Sequence, residues 1–365
     1  MDKPTAVAEL FKCQGRILDV KSFGCGNVND TFLVTLDRNG CAPFILQRMN
    51  ARVFPRPDLV MSNMRTFADH VLKRLENYPL LAGRRWEVPC VLLSSNGKDH
   101  WLDSDGSFWR ALSYIRDAQS FDKVKDLKHA KEVGEALGIL HGLLSDLPAE
   151  RLNETLEGFH ITPRYLAHYD HVLTITQADR SPELDYCLEF VQKRRPFVAI
   201  LENAKASGEL ILRPIHGDPK VSNIMLDTFT GQAVSIVDLD TVKPGLIQYD
   251  IGDCLRSCCN PLGEDADRWQ DVRFEPDYFR AILHGYLGFA KDFLTESDYE
   301  YMYDSIRLIA FELGLRFLTD YLEGDVYFKI RHAEQNLSRA LVQFRLTESI
   351  ESQETAIRSI IQDMR

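Results

Sequence analysis

The stretch RPIHGDPKVSNIMLD, Arg213 to Asp227, decides how this chain is read. An apolar strand-like run ends in a His-Gly-Asp turn. Lys220 follows Asp218 by two residues and Asn223 follows it by five. One short loop thus offers a carboxylate, a cation and an amide oxygen, more chemistry than a structural turn needs. Fifteen residues beyond Asn223, the run SIVDLDT sets Asp238 at the end of a second apolar strand. Alone, an Asp in that place is as readily a turn residue, since its side chain bonds nearby backbone amides.

Phosphoryl transfer from a nucleotide asks for a base at the attacking hydroxyl, ligands for Mg²⁺ and cations for the moving phosphate. Asp218 fits the base and Lys220 the phosphate cation. Asn223 and Asp238 supply the hard oxygens that Mg²⁺ prefers. The Asp-to-Asn spacing is that of the protein-kinase catalytic loop. His216 is read as a packing and hydrogen-bonding residue, with Asp218 the chemically committed one.

Outward from this loop the chain changes character. GRILDVKSFG and DTFLVTLDRNG are β-like runs joined by GCGNVN, and APFILQRMN follows the RNG turn. DLVMSNMRTFADHVLKRLENYP has helical spacing up to Pro79, after which WEVPCVLLSS and HWLDSDGSFWRALSYI resume the strands. From DLKHAKEVGEALGILHGLLSDLP onward the pattern is mainly helical, with Ala130, Val133, Leu137, Leu140 and Leu144 on one stripe. ELILRPIHG and AVSIVDLDT read as strands about a hairpin turn at LDTFTGQ. The expectation is an α+β, bilobal fold: a strand-rich nucleotide lobe over 1–112, a hinge at 113–117 and a helical lobe over 118–365 carrying the catalytic loop and acceptor site.

The segment HGDPKVSNIMLDTFTGQAVSIVDLDTVKPGLIQYDIGDCLRS resembles the phosphotransferase family of aminoglycoside phosphotransferases and choline kinases, which share the protein-kinase-like fold. ILQRMNARVFPRPDLVMSNM, LEGFHITP and LGLRFLTDYLEGDVYFKI make it most similar to the N-acetylhexosamine 1-kinase branch. The likeness runs from about residue 23 to 330. It implies ATP as co-substrate, Mg²⁺, and an N-acetylhexosamine sugar phosphorylated at its anomeric hydroxyl. By position, Arg316 and Tyr327 would hold that sugar beside Asp218. The alternatives are a helix-surface ion pair of Arg316 with Glu312, four residues earlier, and a core role for Tyr327. Choline, ethanolamine, an amino acid, another sugar or an aminoglycoside remains open as acceptor, as does a catalytically silent nucleotide- or sugar-binding module.

The remaining nucleotide contacts follow from the first lobe. FGCGNVNDTF would form the loop over the phosphates, with Gly24, Gly26 and Asn27 letting backbone amides approach anionic oxygens. An ordinary β-turn is the other reading, because the third glycine of GxGxxG is missing. In PFILQRMN the inner-phosphate cation is assigned to Arg48, with a surface position as the alternative; the acidic partner expected from the next helix is not evident, since its opening DLVMSNM offers only Asp58. Ser113, Tyr114, Ile115 and Arg116 would meet the adenine. Asp250 and Asp253 are read as helix caps or braces of the catalytic loop.

Composition narrows the class. A net charge of −11 argues against a broad nucleic-acid surface. No apolar run approaches the roughly 18 residues of a membrane span. The first residues lack the apolar core of a signal peptide, so the cytoplasm is the expected location. The eight cysteines have no paired CxxC or zinc spacing and are expected as reduced, mostly buried thiols. The sequence leaves the oligomeric state open.

Overall fold

A computed structural model of the chain describes residues 2–11, 15–24, 28–37, 42–81, 83–176 and 179–365. Gly26 and Asn27 lie outside the described residues. Helix α1 (Lys3–Ala8) precedes an antiparallel sheet of β1 (Ile17–Ser22), β2 (Asp30–Leu36), β3 (Phe44–Arg48), β4 (Val91–Leu92), β5 (Trp101–Leu102) and β6 (Phe108–Ser113). The order is β1-β2-β3-β6-β4, with β5 also paired to β6.

Strand alternation divides the two central strands between different cores. Phe44, Leu46, Trp109 and Ala111 turn to the outer face and pack with Val7, Ala8 and Phe11. Ile45 and Leu112 turn the other way and join the core shared with the helical lobe. In register, Gln47 lies opposite Arg110 and Arg48 opposite Trp109. These pairs therefore point to opposite faces, since side chains alternate with a period of two.

Helix α2 (Pro57–Leu75) follows β3 and buries Val60, Met61, Met64, Phe67 and Val71. It stops at Leu75, four residues short of Pro79, where a tight 3₁₀ turn begins. The run WEVPCVLLSS contributes only the two residues of β4 to the sheet.

Beyond β7 (Ala118–Gln119) the larger lobe holds α3 (Leu127–Leu144), α4 (Thr162–Ile175), α5 (Pro182–Arg194) and α6 (Ile200–Ala206). Asp126 caps α3 through the His129 amide at 2.8 Å. Its expected stripe, Ala130, Val133, Leu137, Leu140 and Leu144, is buried throughout. The later elements are β8 (Arg213–Ile215), β9 (Ile224–Asp227), β10 (Ala233–Ile236), β11 (Lys243–Gly245) and α7 (Ile247–Cys258), then α8 (Pro276–Ala290), α9 (Glu296–Glu300), α10 (Met302–Leu322), α11 (Gln335–Ser352) and α12 (Glu354–Met364). A Cβ at Gly134 or Gly138 would strike the Ile282 and Tyr286 carbonyls, so the close α3–α8 approach requires those glycines.

The hairpin is not paired as the sequence suggested. Its arms are β9 and β10, while β8 pairs with β11. The chain leaves β8 through Gly217 at φ +87°, a left-handed turn that ends the strand and starts the catalytic loop. A small-lobe sheet over a helical lobe, with that loop at the junction, is the kinase-like α+β architecture. Among the described residues no helix is long and apolar enough to cross a membrane. Cys187, Cys254, Cys258 and Cys259 are buried free thiols, and Cys90 is a partly buried one.

Candidate active site

The catalytic loop is held by its backbone. Asp250 accepts the amide N–H of His216 through Oδ2 and that of Gly217 through Oδ1, both at 2.7 Å. His216 Nε2 bonds the Val237 carbonyl at 3.0 Å, and Thr241 Oγ1 donates to the His216 carbonyl at 2.7 Å. His216 thus packs and ties two strand ends together. Asp250 braces the loop from inside α7; it does not cap that helix, whose N-cap residue is Leu246. Asp253 is no cap either, since it pairs with Arg256 one turn later.

These ties present Asp218, Lys220, Asn223 and Asp238 in the cleft. Lys220 Nζ lies 2.6 Å from Asp218 Oδ2. Burial alone would raise the Asp218 pKa, but the charge and hydrogen bond of Lys220 outweigh it and hold the carboxyl below its ordinary value. Burial opposes the charge of Lys220, and the Asp218 and Asp238 carboxylates more than restore it. Asn223 Nδ2 donates to the Asp218 carbonyl at 2.8 Å, which leaves its amide oxygen unspent by that bond. Asp238 sits at φ +69°, a left-handed conformation that a non-glycine residue holds only where its surroundings enforce it. Enclosure by the cleft, then repulsion from Asp240 and Asp218, raises its pKa to about 6 against the pull of Lys220 and Arg110.

Asp238 and Asp240 have different fates. Asp240 is saturated by Arg110 Nη2 and by Asn29 Nδ2, the latter at 2.6 Å. The Asp238 carboxylate has no hydrogen-bond partner among the described residues and is open to the cleft. The donor set free for a metal is therefore the Asp238 carboxylate and the Asn223 amide oxygen. Both are hard oxygens, the kind of pair that holds Mg²⁺ together with substrate phosphates. Among the described residues no group of three or more His, Cys, Asp and Glu side chains forms a metal cluster.

The structure does not bring Arg48 to this cluster. It lies on the outer sheet face, its Nε 2.9 Å from Asp30 Oδ2, with both side chains more than two-fifths exposed. The register places Gln47 on the cleft face, and the cation there is Arg110 of β6. That guanidinium is 1% exposed, bonds Gln47 Oε1 at 2.9 and 2.7 Å, and meets Asp240. Asp58 pairs with Arg56 at the surface. Sequence reasoning missed Arg110, Asp240 and Asn29. The available signal was a charged residue inside the apolar run FWRALS, which burial makes costly unless paired.

On the nucleotide side, Gly24 adopts φ +75° and Phe23 rests edge-on against Tyr114, ring centroids 6.1 Å apart. Ser113 is tied to Cys90 and the Arg116 carbonyl to Arg85. Tyr114 and Ile115 directly follow β6, between its last residue and the turn at Arg116 and Asp117.

In the helical lobe the Arg316 guanidinium carbon lies 5.2 Å from the Phe159 ring, 5.1 Å from Tyr165, 5.8 Å from Tyr327 and 5.4 Å from Phe328. It has no hydrogen-bond or ion-pair partner among the described residues. Glu312 does not pair with it: Oε1 meets His160 and Oε2 accepts from Thr162 Oγ1 at 2.7 Å. Burial opposes the Arg316 charge, while Tyr165, Tyr327, Glu312 and Asp218 reinforce it, so Arg316 and Asp218 sense each other across the site. Tyr327 is 45% exposed, not a core aromatic. Asp320 positions it by accepting the Val326, Tyr327 and Phe328 amides at 2.9, 2.7 and 2.9 Å.

A bilobal kinase-like fold with this loop at its cleft defines a phosphotransferase. The model of the phosphotransferase enzyme family matches residues 19–294, and the chain belongs to that family. Among solved structures it is similar to a microcompartment-associated aminopropanol kinase, with a TM-score of 0.60, 14% identity and 97% of each chain covered. It is also similar to the choline kinase of Cryptosporidium parvum, with a TM-score of 0.57, 13% identity and coverage of 94% of this chain and 91% of the other. A third is an amicoumacin kinase in complex with AMP-PNP, Ca²⁺ and Ami, with a TM-score of 0.55, 15% identity and coverage of 97% and 94%.

Proposed function

We propose that this phosphotransferase moves the γ-phosphate of ATP to the anomeric hydroxyl of an N-acetylhexosamine, N-acetylglucosamine or N-acetylgalactosamine, to give the sugar 1-phosphate. The observation that carries the reading is Arg316, a guanidinium ringed by aromatic side chains, without an acceptor of its own and within electrostatic reach of Asp218. Arg316 is only partly buried, so its unpartnered donors face space that a ligand can enter, and they favour one that brings a carbonyl or hydroxyl oxygen. An acetamido carbonyl answers the guanidinium, and the apolar face of a sugar ring answers the aromatic rings. Arg316 also places a positive charge where a choline or aminoglycoside pocket would need to receive one, which disfavours cationic acceptors.

In this reading Asp218 accepts or orients the anomeric proton, and its lowered pKa keeps it ionised for the task. Lys220 lies between Asp218 and Asp238, ready to offset phosphate charge. Gly24, beside Gly26 and Asn27, covers the phosphates, and Tyr114 and Ile115, between Ser113 and Arg116, read the adenine. Mg²⁺ held by Asn223 and Asp238 would supply charge neutralisation on the nucleotide phosphates. Arg110, not Arg48, anchors Asp240 and thereby the turn that carries Asp238.

A second reading, an acceptor with a carboxylate such as a hydroxylated amino acid, is favoured by the same free guanidinium, which binds carboxylates in a bidentate fork. The test is ATP- and Mg²⁺-dependent ADP release against N-acetylhexosamines, unmodified hexoses, homoserine, choline, ethanolamine and aminoglycosides, with Asp218→Asn as control. Release confined to N-acetylhexosamines with a 1-phosphate product is expected. Release with choline or an aminoglycoside alone would sink the sugar reading, and release with homoserine would select the second.

A further inference from the structure

His160 belongs to no part of the reading above, yet it stands between the two halves of the site. It is 3% exposed, at φ +64°, in the segment just before α4. Its Nδ1 is 2.9 Å from Glu312 Oε1 and its Nε2 is 2.7 Å from the Gly217 carbonyl. Both facing groups accept. A carbonyl oxygen has no proton to give, and neither has an ionised carboxylate. A neutral imidazole would turn a lone pair on one of them, so the geometry calls for a hydrogen on each ring nitrogen.

The partners give that arrangement its reach. The Gly217 carbonyl belongs to the peptide that leads into Asp218, and its own amide is already fixed by Asp250. Glu312 lies on α10 one turn before Arg316, and Thr162 holds its second oxygen. One imidazole therefore connects the peptide that carries the base to the helix that carries the free guanidinium.

We propose that His160, donating from both ring nitrogens, is a positioning residue that locks the Gly217–Asp218 peptide to the Arg316 helix and so sets the distance from acceptor to base. The inference rests on the acceptor reading for its kinetic consequence, and on the geometry alone for its protonation.

Every element packed against the ring contributes a group. Glu312 comes from α10 and Asp253 from α7. Tyr249, also from α7, lies nearly parallel to the ring at 5.4 Å, and the Tyr165 hydroxyl of α4 sits beside the His160 backbone. Phe159 packs at 4.0 Å. Burial works against the charge, but Glu312, Asp253 and the Gly217 carbonyl outweigh it and raise the His160 pKa above the ordinary 6.5. A raised folded pKa means the doubly donating form is complete at low pH and is lost as pH climbs through the folded value. The signature is an alkaline fall in turnover.

Two variants separate positioning from simple packing. His160→Gln keeps a donor for Gly217 but is neutral at every pH, and Glu312→Gln removes the charge that supports the proton while keeping the shape. With ¹⁵N-histidine-labelled full-length protein, His160 should show both nitrogens protonated at pH 7 and lose one proton only above the ordinary imidazole titration, a displacement that Glu312→Gln should reduce. A singly protonated ring at pH 7 in the wild type would overturn the proposal, whatever the acceptor. In kinetics, His160→Gln should lower kcat about tenfold and His160→Ala about a hundredfold, in proteins that bind MgADP within about twofold of wild type. The alkaline fall should vanish in His160→Gln. Unchanged kcat in that variant, or an alkaline fall that survives it, would also overturn the proposal. Absence of transfer in the wild type would instead count against the functional reading and leave the nitrogen protonation to decide the clamp.

Discussion

Two arginines, one in each lobe, show how similar cations do different work. Arg110 in the sheet spends its donors on Gln47 and Asp240, with Nη1 lying 3.1 Å from Met64 Sδ. Arg316 in the helical lobe faces four aromatic rings and, among the described residues, no acceptor. The saturated arginine is scaffold: it fixes Asp240, and through the turn it fixes Asp238. The unsaturated one is the group that the proposed acceptor would engage. Side-chain type alone does not tell them apart; the count of acceptors in reach does.

The contrast can be broken by substitution. Arg110→Met should cost the fold most, about 3–5 kcal/mol, because it strands the buried Asp240 carboxylate. A large drop in melting temperature is expected, and a variant as stable as wild type would remove Arg110 from its scaffold role. Arg316→Met should do the reverse. It should leave melting and MgADP binding nearly unchanged while raising the acceptor KM about a hundredfold, as loss of a charged hydrogen-bonding partner does. Unfolding of Arg316→Met with no change in the acceptor KM of the folded remainder would collapse the distinction. Arg48→Ala sharpens the same point from the outer face of the sheet. Its pair with Asp30 is exposed, so a stability change under about 1 kcal/mol and unaltered nucleotide affinity are expected. A marked loss of MgATP affinity in that variant would return Arg48 to the phosphates.

Much of the fold was legible in the chain. β1 to β3 declare themselves as β-like runs set apart by glycine-containing turns, and α3 by a stripe that the structure buries residue for residue. The candidate catalytic loop was legible because its groups are local: Asp218, Lys220 and Asn223 fall within six residues, and Asp238 lies two residues past the end of β10 in the adjoining hairpin. Other features were not. WEVPCVLLSS is apolar enough for a strand, yet only Val91 and Leu92 pair with β6 as one. ELILRPIHG looks like a hairpin arm, but its pairing partner lies beyond the hairpin at Lys243–Gly245. Gln47 and Arg48 are neighbours, and which one faces the cleft depends on the register with β6.

By itself, then, the sequence determined the kinds of group in the catalytic loop, their spacing, and the lobe order that places strands before helices. Those follow from short-range rules of turn geometry and periodicity. Tertiary structure decided which arginine neutralises Asp240, which is left without an acceptor among the described residues, and that His160 reaches both Gly217 and Glu312. Arg110 and Asp240 are 130 positions apart, and His160 and Glu312 are 152 apart. Whether a polar group is satisfied depends on its neighbours in space, and only the folded chain brings groups so distant in sequence within hydrogen-bond reach.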